Sequence, residues 1–342
     1  MQLELISRQD ELVTDTLYLG GGTPSVLPLS VLENIVNTLE DSGAGPGFKE
    51  FTIEVNPDDI VSKGVEYVRG LKSLGVNRVS MGIQSLDDGL LKWMRRRHNA
   101  FSARKAYRIL RDCGIDNISV DLIFGIQGLD NLLWSSTLED ILNIDGGSPE
   151  HISAYQLSIE PGSSLANMTK NGTYTESTDE QCLRQYEILC ERLSMAGYHH
   201  YEISNFAKPG YEAIHNSLYW TGVPYAGFGP GAHSLKVSDS GQRLRFWNKS
   251  DLQAYLEAAS AGDFSKIRES ELLTSGQVEE ERIMLSLRTD KGLSYSSLEA
   301  HGKGRALERL LSEGRLERIG EENVRIPESC LFVSDSIIVE LM

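Results

Sequence analysis

Five short runs with strand character recur in the first half of the chain, and their spacing limits the fold more than any other feature. The runs cover residues 17–19, 51–55, 78–85, 118–125 and 151–157. They return about every 30–40 residues, with stretches of helical character between them, which is typical of βαβ units. The sequence therefore predicts a parallel sheet whose strands are joined by helices.

Glycine or polar residues stand where these predicted strands end. The first run leads directly into residues 20–24, three glycines followed by a threonine and a proline, and later runs carry Glu54, Gln84 and Asp121. Glycine has no Cβ, so such a loop can bring backbone amides close to a ligand. Because the carboxyl ends of the strands line the site in a βα barrel, we expect a ligand site at this edge.

The charge of the chain argues against two classes of partner. Its 33 Lys and Arg against 49 Asp and Glu give a formal net charge of −16, which disfavours binding to nucleic acid or to an anionic membrane. No apolar stretch approaches the roughly 20 residues that cross a bilayer, and neither a signal peptide nor a disulfide framework is recognisable. We therefore expect a cytoplasmic protein without stable membrane insertion; its oligomeric state stays open.

The sequence divides into three predicted parts. Residues 1–163 carry the βα repeats. Residues 164–268 form a connecting region, with an amphipathic helix predicted over 180–196 and a glycine-rich loop over 226–234. Residues 269–342 predict three helices and a strand pair, which is the content of a winged helix. Many winged helices bind DNA, but this segment is acidic, so we expect it to pack against protein.

Several motifs resemble a family of radical S-adenosylmethionine (SAM) enzymes, the relatives of oxygen-independent coproporphyrinogen III oxidase. They are GGGTPS at 20–25, EVNPDD at 54–59, RVSMGIQSLDD at 78–88 and VDLIFGIQG at 120–128. HNSLYW at 215–220 and GFGPGAHS at 227–234 resemble the haem-chaperone (HemW) branch. The resemblance implies an α/β fold: an incomplete parallel (β/α)6 barrel lacking its first strand, a connecting α+β region and a C-terminal winged-helix-like module.

The cysteines do not match the cluster ligands of that family. Its [4Fe–4S] cluster is held by a C-x3-C-x2-C loop upstream of the glycine loop. This sequence has Cys113, Cys182, Cys190 and Cys330, and none has the spacing of a cluster or a zinc site. We therefore expect no metal in this chain and a cluster only in a complete parent protein. A truncated sequence and a natural loss are the two alternatives.

By resemblance, seven positions match residues that contact SAM in the family. They are Gly21, Gly22, Thr23, Glu54, Gln84, Arg96 and Asp121. Glycine amides can bond the amino-acid end of SAM, carboxylates can accept from its ammonium or ribose hydroxyls, and an arginine can pair with its carboxylate. Arg96 belongs to the basic run 95–98, so a solvated surface patch is its alternative role.

A second set of candidates concerns haem as a bound cargo. By resemblance they are His215, Asn216, Tyr219, Trp220 and His233. A neutral imidazole can ligate haem iron, and aromatic rings can line a porphyrin pocket. The alternative for His215 is a structural one, in which its hydrogen bonds hold the motif against the barrel.

The resemblance implies a protein that binds haem or porphyrin and delivers haem to respiratory haem proteins. Two alternatives stay open. One is an oxidase that decarboxylates coproporphyrinogen propionates through SAM radical chemistry, and the other is a binding protein without a cluster. The sequence leaves catalytic activity open, and no catalytic residue is assigned.

Overall fold

A seven-stranded sheet is the centre of the structure, a computed structural model that describes residues 1–44 and 47–342. Its strands are β1 (Thr16–Leu19), β2 (Glu50–Val55), β3 (Arg78–Gln84), β4 (Ile118–Phe124), β5 (His151–Gln156), β6 (His199–Glu202) and β7 (Asn205–Ala207). They follow the order β1-β2-β3-β4-β5-β7-β6 across the sheet. The first five are parallel neighbours, which confirms the parallel run predicted from the spacing.

The far edge of this sheet differs from a purely parallel barrel. β7 pairs antiparallel with β5, and β6 pairs antiparallel with β7. Only two residues, Ile203 and Ser204, separate β6 from β7. So short a connection can only reverse the chain, because a parallel neighbour needs a long crossover. The sequence predicts one short strand in this region, whereas the structure has a hairpin of two strands.

Helices alternate with the parallel strands along the chain. The helices of this part are α1 (Gln2–Ser7), α2 (Leu29–Asp41), α3 (Pro57–Ser73), α4 (Asp88–Trp93), α5 (Ala100–Asp112), α6 (Asn131–Leu142), α7 (Ser164–Lys170) and α8 (Asp179–Met195). α3 begins at the EVNPDD motif because the Asn56 side chain accepts the backbone N–H of Asp58 and Pro57 takes the first helical position. Strand residues such as Ile53, Val79 and Val120 belong to the buried apolar core together with helix residues.

The other face of the same strands is polar. Successive strand residues point to opposite faces, and the residues that alternate with the apolar ones are buried and hydrophilic. They are Thr16, Glu50, Thr52, Arg78, Ser80, Ser119, His151 and Ser153. Contacts across the sheet join them, for example Ser119 Oγ to His151 Nδ1 at 2.8 Å. An interior lined with polar side chains is better suited to binding a polar ligand than to forming an apolar core.

Two small sheets and further helices follow the seven-stranded sheet. Their elements are α9 (Ile214–Trp220), β8 (His233–Val237), β9 (Arg243–Asn248), α10 (Leu252–Ala261), β10 (Arg268–Leu272), α11 (Ser275–Ser286), β11 (Leu293–Ser294), α12 (Tyr295–Ala300), α13 (Gly304–Ser312), β12 (Glu317–Ile319), β13 (Asn323–Arg325) and α14 (Ser334–Val339). The sheets have the orders β10-β9-β8 and β11-β13-β12. The predicted helices and strand pair at the C-terminus are present, while the winged-helix assignment and the three-part division stay predictions.

A buried carboxylate fastens α1 to the middle of the chain. Glu4 accepts hydrogen bonds from the Gly229 amide at 2.9 Å, from Asn248 Nδ2 at 2.7 Å and from the Tyr255 hydroxyl at 2.7 Å. Arg8 donates to the Gly227 carbonyl oxygen at 2.7 Å. The glycine-rich loop of the GFGPGAHS motif therefore docks α1. No helix in the described residues is long and apolar enough to cross a bilayer.

Candidate functional site

The glycine loop leaves β1 with its backbone facing open space. Gly21 has φ +86°, a conformation that favours glycine. A Cβ built on Gly21 or on Gly22 would meet no other atom within 4 Å. Thr23, which follows, is exposed. The loop therefore has room for a ligand against its main chain, and its ligand role stays a prediction.

Glu54 lies directly beside this loop. The Tyr18 hydroxyl donates to Glu54 Oε1 at 2.8 Å, and a Cβ built on Gly20 would lie only 2.7 Å from the same oxygen. Burial raises the pKa of Tyr18, and the negative charges of Glu54 and Asp121 raise it further. Tyr18 therefore stays a hydrogen-bond donor that holds the Glu54 carboxylate against the glycine backbone.

Asp121 is near these groups, but it lies within β4 rather than at its end. The strand continues through Phe124 because Ile123 and Phe124 pair with β5. Asp121 Oδ1 accepts a hydrogen bond from Ser80 Oγ at 3.1 Å. Burial raises the pKa of Asp121, and the charge of Glu54 also acts to raise it. The two carboxylates are therefore close enough to influence each other.

The basic run after α4 divides into residues with different roles. Partial burial lowers the pKa of the Arg96 guanidinium, and the charge of Asp121 opposes that shift. Arg97 instead pairs with Asp59 at 3.0 Å, and buried His98 contacts the Ile83 carbonyl oxygen through Nε2 at 3.0 Å. Arg97 and His98 thus anchor the loop, and Arg96 lies within electrostatic reach of the site carboxylate.

Gln84 ends β3 in a backbone conformation that is rare for its residue type. Its φ is +68°, and the pairing of β3 with β4 shifts register between Met81 and Gln84. The amide nitrogen Nε2 occupies the space beside Gly82, where a Cβ would lie 2.7 Å away. A non-glycine residue held at positive φ is a recurrent feature of ligand sites. The site role of Gln84 stays a prediction, and its strained backbone is the feature that supports it.

The HNSLYW motif forms α9, and a buried glutamate holds the start of this helix. Glu50, the first residue of β2, accepts the backbone N–H groups of Ile214 at 2.7 Å and His215 at 3.0 Å. These amides have no partner inside a helix, so the carboxylate satisfies two otherwise unpaired donors. Asn216, next in the motif, donates to buried Glu202 at 3.4 Å.

The His215 imidazole is fully engaged within the protein. Its Nδ1 is 2.8 Å from Thr16 Oγ1, and its Nε2 is 3.2 Å from the Tyr219 hydroxyl. The ring also stacks on Tyr18, with centroids 5.2 Å apart. Burial lowers the pKa of His215, although the charge of Glu50 opposes this. The ring is therefore neutral near pH 7, and its hydrogen bonds agree with the structural alternative.

The structure does not bring all the haem candidates together. Trp220 borders a cavity of about 400 Å³ that Tyr201 and Lys291 also line. His233 begins β8, is exposed, and stacks on Trp247 with centroids 5.5 Å apart. Across residues 1–44 and 47–342, no hydrogen bond or ring contact joins His233 to His215. His215 and Tyr219 thus contact each other, Asn216 bonds Glu202 instead, and His233 lies apart from them.

The glycine loop with Glu54, and His215, lie toward opposite ends of the polar interior. The glycine loop and Glu54 are at the carboxyl ends of their strands, whereas His215 contacts Thr16 and Glu50, which begin β1 and β2. Tyr18 lies between, stacked on His215 and bonded to Glu54. Sequence reasoning missed Tyr18 and Glu50. Strand alternation offered a signal. Tyr18 precedes Gly20, and Glu50 precedes Glu54, by an even number of residues, so each lies on the same face of its strand as the candidate residue.

The cysteines do not converge on one site. Cys113, Cys182, Cys190 and Cys330 are all free. Cys113 follows α5, Cys182 and Cys190 lie on α8, and Cys330 lies in the short helix Glu328–Val333 before α14. In the part of the chain that the structure describes, no three of these thiols meet. These residues therefore do not provide the ligand set of a [4Fe–4S] cluster.

Comparison with known proteins decides the family. The Radical SAM superfamily model matches residues 2–140. The protein named heme chaperone HemW of Bacillus subtilis is 33% identical over 296 residues, covering 86% of this chain and 75% of that protein. The HemW of Mycobacterium tuberculosis H37Rv is 32% identical over 327 residues, covering 94% and 80%. The chain belongs to the HemW family. This result confirms the resemblance to the family that the sequence motifs indicate.

A solved structure agrees with the fold of this HemW family member. Coproporphyrinogen III oxidase (HemN) from Escherichia coli, a radical SAM enzyme, superposes with a TM-score of 0.79 over 99% of this chain and 81% of that chain. Sequence identity is 19%, so the likeness concerns the fold alone. It confirms a mixed α/β architecture built on a curled half-barrel sheet.

Proposed function

We propose that the chain binds haem and passes it to haem-accepting proteins, respiratory enzymes among them. The main support is that relatives named heme chaperone match it at 31–33% identity over most of its length. The four free cysteines support a reducing compartment, and the cytoplasm is part of this proposal.

The haem surface that we propose is the exposed side of α9. Tyr219 is 42% exposed, and it lies edge-on to His215 and to Tyr225, with centroids 5.2 and 4.8 Å apart. Partly exposed rings can pack against a porphyrin face. Neutral His215 can ligate iron through Nε2 if that atom exchanges its Tyr219 contact for the metal. His233, stacked on Trp247, is the second candidate ligand.

The SAM site that we propose is the opposite end of the interior. The open backbone of Gly21 and Gly22 and the hydroxyl of Thr23 suit the amino-acid end of SAM, and Arg96 suits its carboxylate. Glu54 and Asp121 offer acceptors for ammonium or ribose hydroxyls, and Gln84 both donates and accepts. In radical SAM proteins, SAM together with a reduced cluster supplies radical chemistry.

Oxidation of coproporphyrinogen is a weaker proposal for this chain. Its support is the likeness to HemN, which is one of fold. The haem-binding proposal has the named relatives behind it as well as the exposed aromatic side of α9.

A haem titration tests the proposal. We expect His215→Ala to lose most of the Soret shift that haem produces in the unchanged chain and to release haem faster to apomyoglobin. His301→Ala is the matched control, because His301 is an exposed histidine on the C-terminal side of the molecule. If His215→Ala keeps the full Soret shift and only melts several degrees lower, His215 is structural, and His233→Ala becomes the decisive variant.

A further inference from the structure

Three potential metal ligands from distant parts of the chain meet outside the sites described above. They are Cys190 on α8, His200 on β6 and Glu328 in the short helix Glu328–Val333. Their ligand atoms lie within 4.8 Å of one another. His200 Nδ1 is 2.8 Å from Glu328 Oε1 and 3.9 Å from Cys190 Sγ. We propose that these three side chains bind a zinc ion.

The hydrogen bonds around His200 leave Nδ1 aimed at the other two ligands. The Tyr186 hydroxyl donates to the Ile203 carbonyl oxygen at 3.0 Å. Its oxygen, 3.4 Å from His200 Nε2, can then accept from a proton on Nε2 in the tautomer that leaves Nδ1 free to bind a metal. Without a metal, a proton between His200 Nδ1 and the Glu328 carboxylate accounts for their 2.8 Å contact. In the metal-bound state zinc takes the place of that proton, and Nδ1 and the carboxylate become its ligands. A second partner that fixes the tautomer is typical of metal-binding histidines.

The spacing and the chemistry of the three groups fit zinc. In a tetrahedral zinc site, neighbouring ligand atoms lie about 3.3–3.6 Å apart. The 2.8 Å and 3.9 Å separations of His200 Nδ1 from Glu328 Oε1 and from Cys190 Sγ lie on either side of that range, so side-chain shifts of up to about 1 Å would complete the site. A thiolate with an imidazole and a carboxylate is a donor set that zinc accepts and that magnesium and calcium do not favour. A cavity of about 260 Å³ borders all three residues and has room for a water as the fourth ligand.

The site joins two regions of the fold. Cys190 lies on α8, His200 lies on strand β6 of the seven-stranded sheet, and Glu328 belongs to the C-terminal segment, 128 residues from His200. Bound zinc therefore fastens the C-terminal segment to α8 and β6. Sequence spacing did not indicate this site, because its ligands lie 10 and 128 residues apart.

Cobalt(II) is the probe for this proposal. After EDTA treatment and dialysis, one equivalent of Co²⁺ is expected to give a thiolate-to-cobalt charge-transfer band, and Zn²⁺ is expected to abolish it by displacement. Cys190→Ser should lose the band. Cys182→Ser, which changes the other buried cysteine of the same helix, should keep it. His200→Gln and Glu328→Gln should each weaken cobalt binding at least about tenfold.

Thermal unfolding gives an independent reading. Zinc at 100 times its Kd should shift the folding equilibrium about 100-fold toward the folded state, and this gain should vanish in Glu328→Gln. The side chain of Glu328 is half exposed, so this variant is expected to fold. A cobalt complex of the unchanged chain without the charge-transfer band overturns the proposal. An identical band in Cys190→Ser also overturns the proposal. After either result, His200 and Glu328 are an ion pair without a metal.

Discussion

At the scale of single residues, Gly20 shows how tightly the start of the glycine loop is packed. A Cβ there would lie 2.4 Å from Tyr18 Cε1 and 2.7 Å from Glu54 Oε1. We expect Gly20→Ala to displace this pair and to lower the free energy of unfolding by about 1–3 kcal/mol. Gly22→Ala, whose Cβ meets open space, should change it by less than about 0.5 kcal/mol. Urea unfolding checks both, and equal stabilities would contradict the packing argument.

The two carboxylates of the proposed SAM site lead to a prediction about binding. Asp121→Asn and Glu54→Gln keep the shape of each side chain and remove its charge. Each should weaken SAM binding by about 1–3 kcal/mol, because a hydrogen bond to a charged acceptor is replaced by a weaker one. Isothermal titration calorimetry measures the change.

A stability measurement separates this effect from misfolding. Burial raises the pKa of Asp121, so the charged carboxylate destabilises the folded state. Asp121→Asn removes this charge and should therefore melt at the same temperature as the unchanged chain, or higher, at pH 7. Glu66→Gln, at a strongly exposed carboxylate, is the control for charge removal. Wild-type SAM affinity in both site variants would remove these carboxylates from the site.

At the scale of elements, α9 depends on one distant side chain. Glu50 accepts two backbone N–H groups at its start. Glu50→Ala should therefore cost about 1–3 kcal/mol of stability through unpaired buried donors. If the proposed haem surface is correct, the variant should also weaken haem binding, because α9 carries His215 and Tyr219. Melting curves and Soret titrations measure the two effects.

The matched control acts on another helix. Asp251 accepts the Ala254 amide and so caps α10. Asp251→Ala should cost about 1 kcal/mol without changing haem binding. If both variants lose stability and neither loses haem, then the position of α9 is not what haem binding requires.

The elements also show what the sequence can and cannot predict. The five parallel strands follow from local patterns, since a strand, a turn and a helix are each encoded within a few residues. The β6–β7 hairpin depends on pairing with β5, and Asp121 lies within its strand because β5 extends the ladder. The contact between Glu50 and α9 spans 164 residues. Contacts of this range leave no periodic trace in one sequence.

At the scale of the whole molecule, the interior contains a histidine that must stay neutral. His151 is 1% exposed. Its Nδ1 is 2.8 Å from Ser119 Oγ, and its Nε2 is 2.7 Å from the Tyr201 hydroxyl. Burial lowers the pKa of His151 well below its ordinary value, and the charge of Arg78 adds to this. His98 and His215 have lowered pKa values for the same first reason.

The sign of the resulting pH dependence follows from linkage. The unfolded chain binds a proton on His151 below about pH 6.5, whereas the folded chain does so only at lower pH. The stability that neutral His151 contributes is therefore fully present above about pH 6.5 and is lost as the pH falls toward the folded pKa. Burial raises the pKa values of Asp121 and Glu202, which gives the opposite slope. A variant at His151 is needed to isolate its share.

We expect His151→Gln to unfold more easily than the unchanged chain at pH 7.5, because it disturbs two buried hydrogen bonds. Between pH 6.5 and pH 5 the gap should narrow by up to about 2 kcal/mol, because only the unchanged chain loses stability to protonation of the unfolded state at this position. Urea unfolding at several pH values measures the gap. His301→Gln, at an exposed histidine, should give a curve parallel to that of the unchanged chain. A gap that stays constant with pH would mean that His151 titrates alike in the folded and unfolded chains. His98 and His215 would then be the remaining histidines whose lowered pKa values could make stability depend on pH.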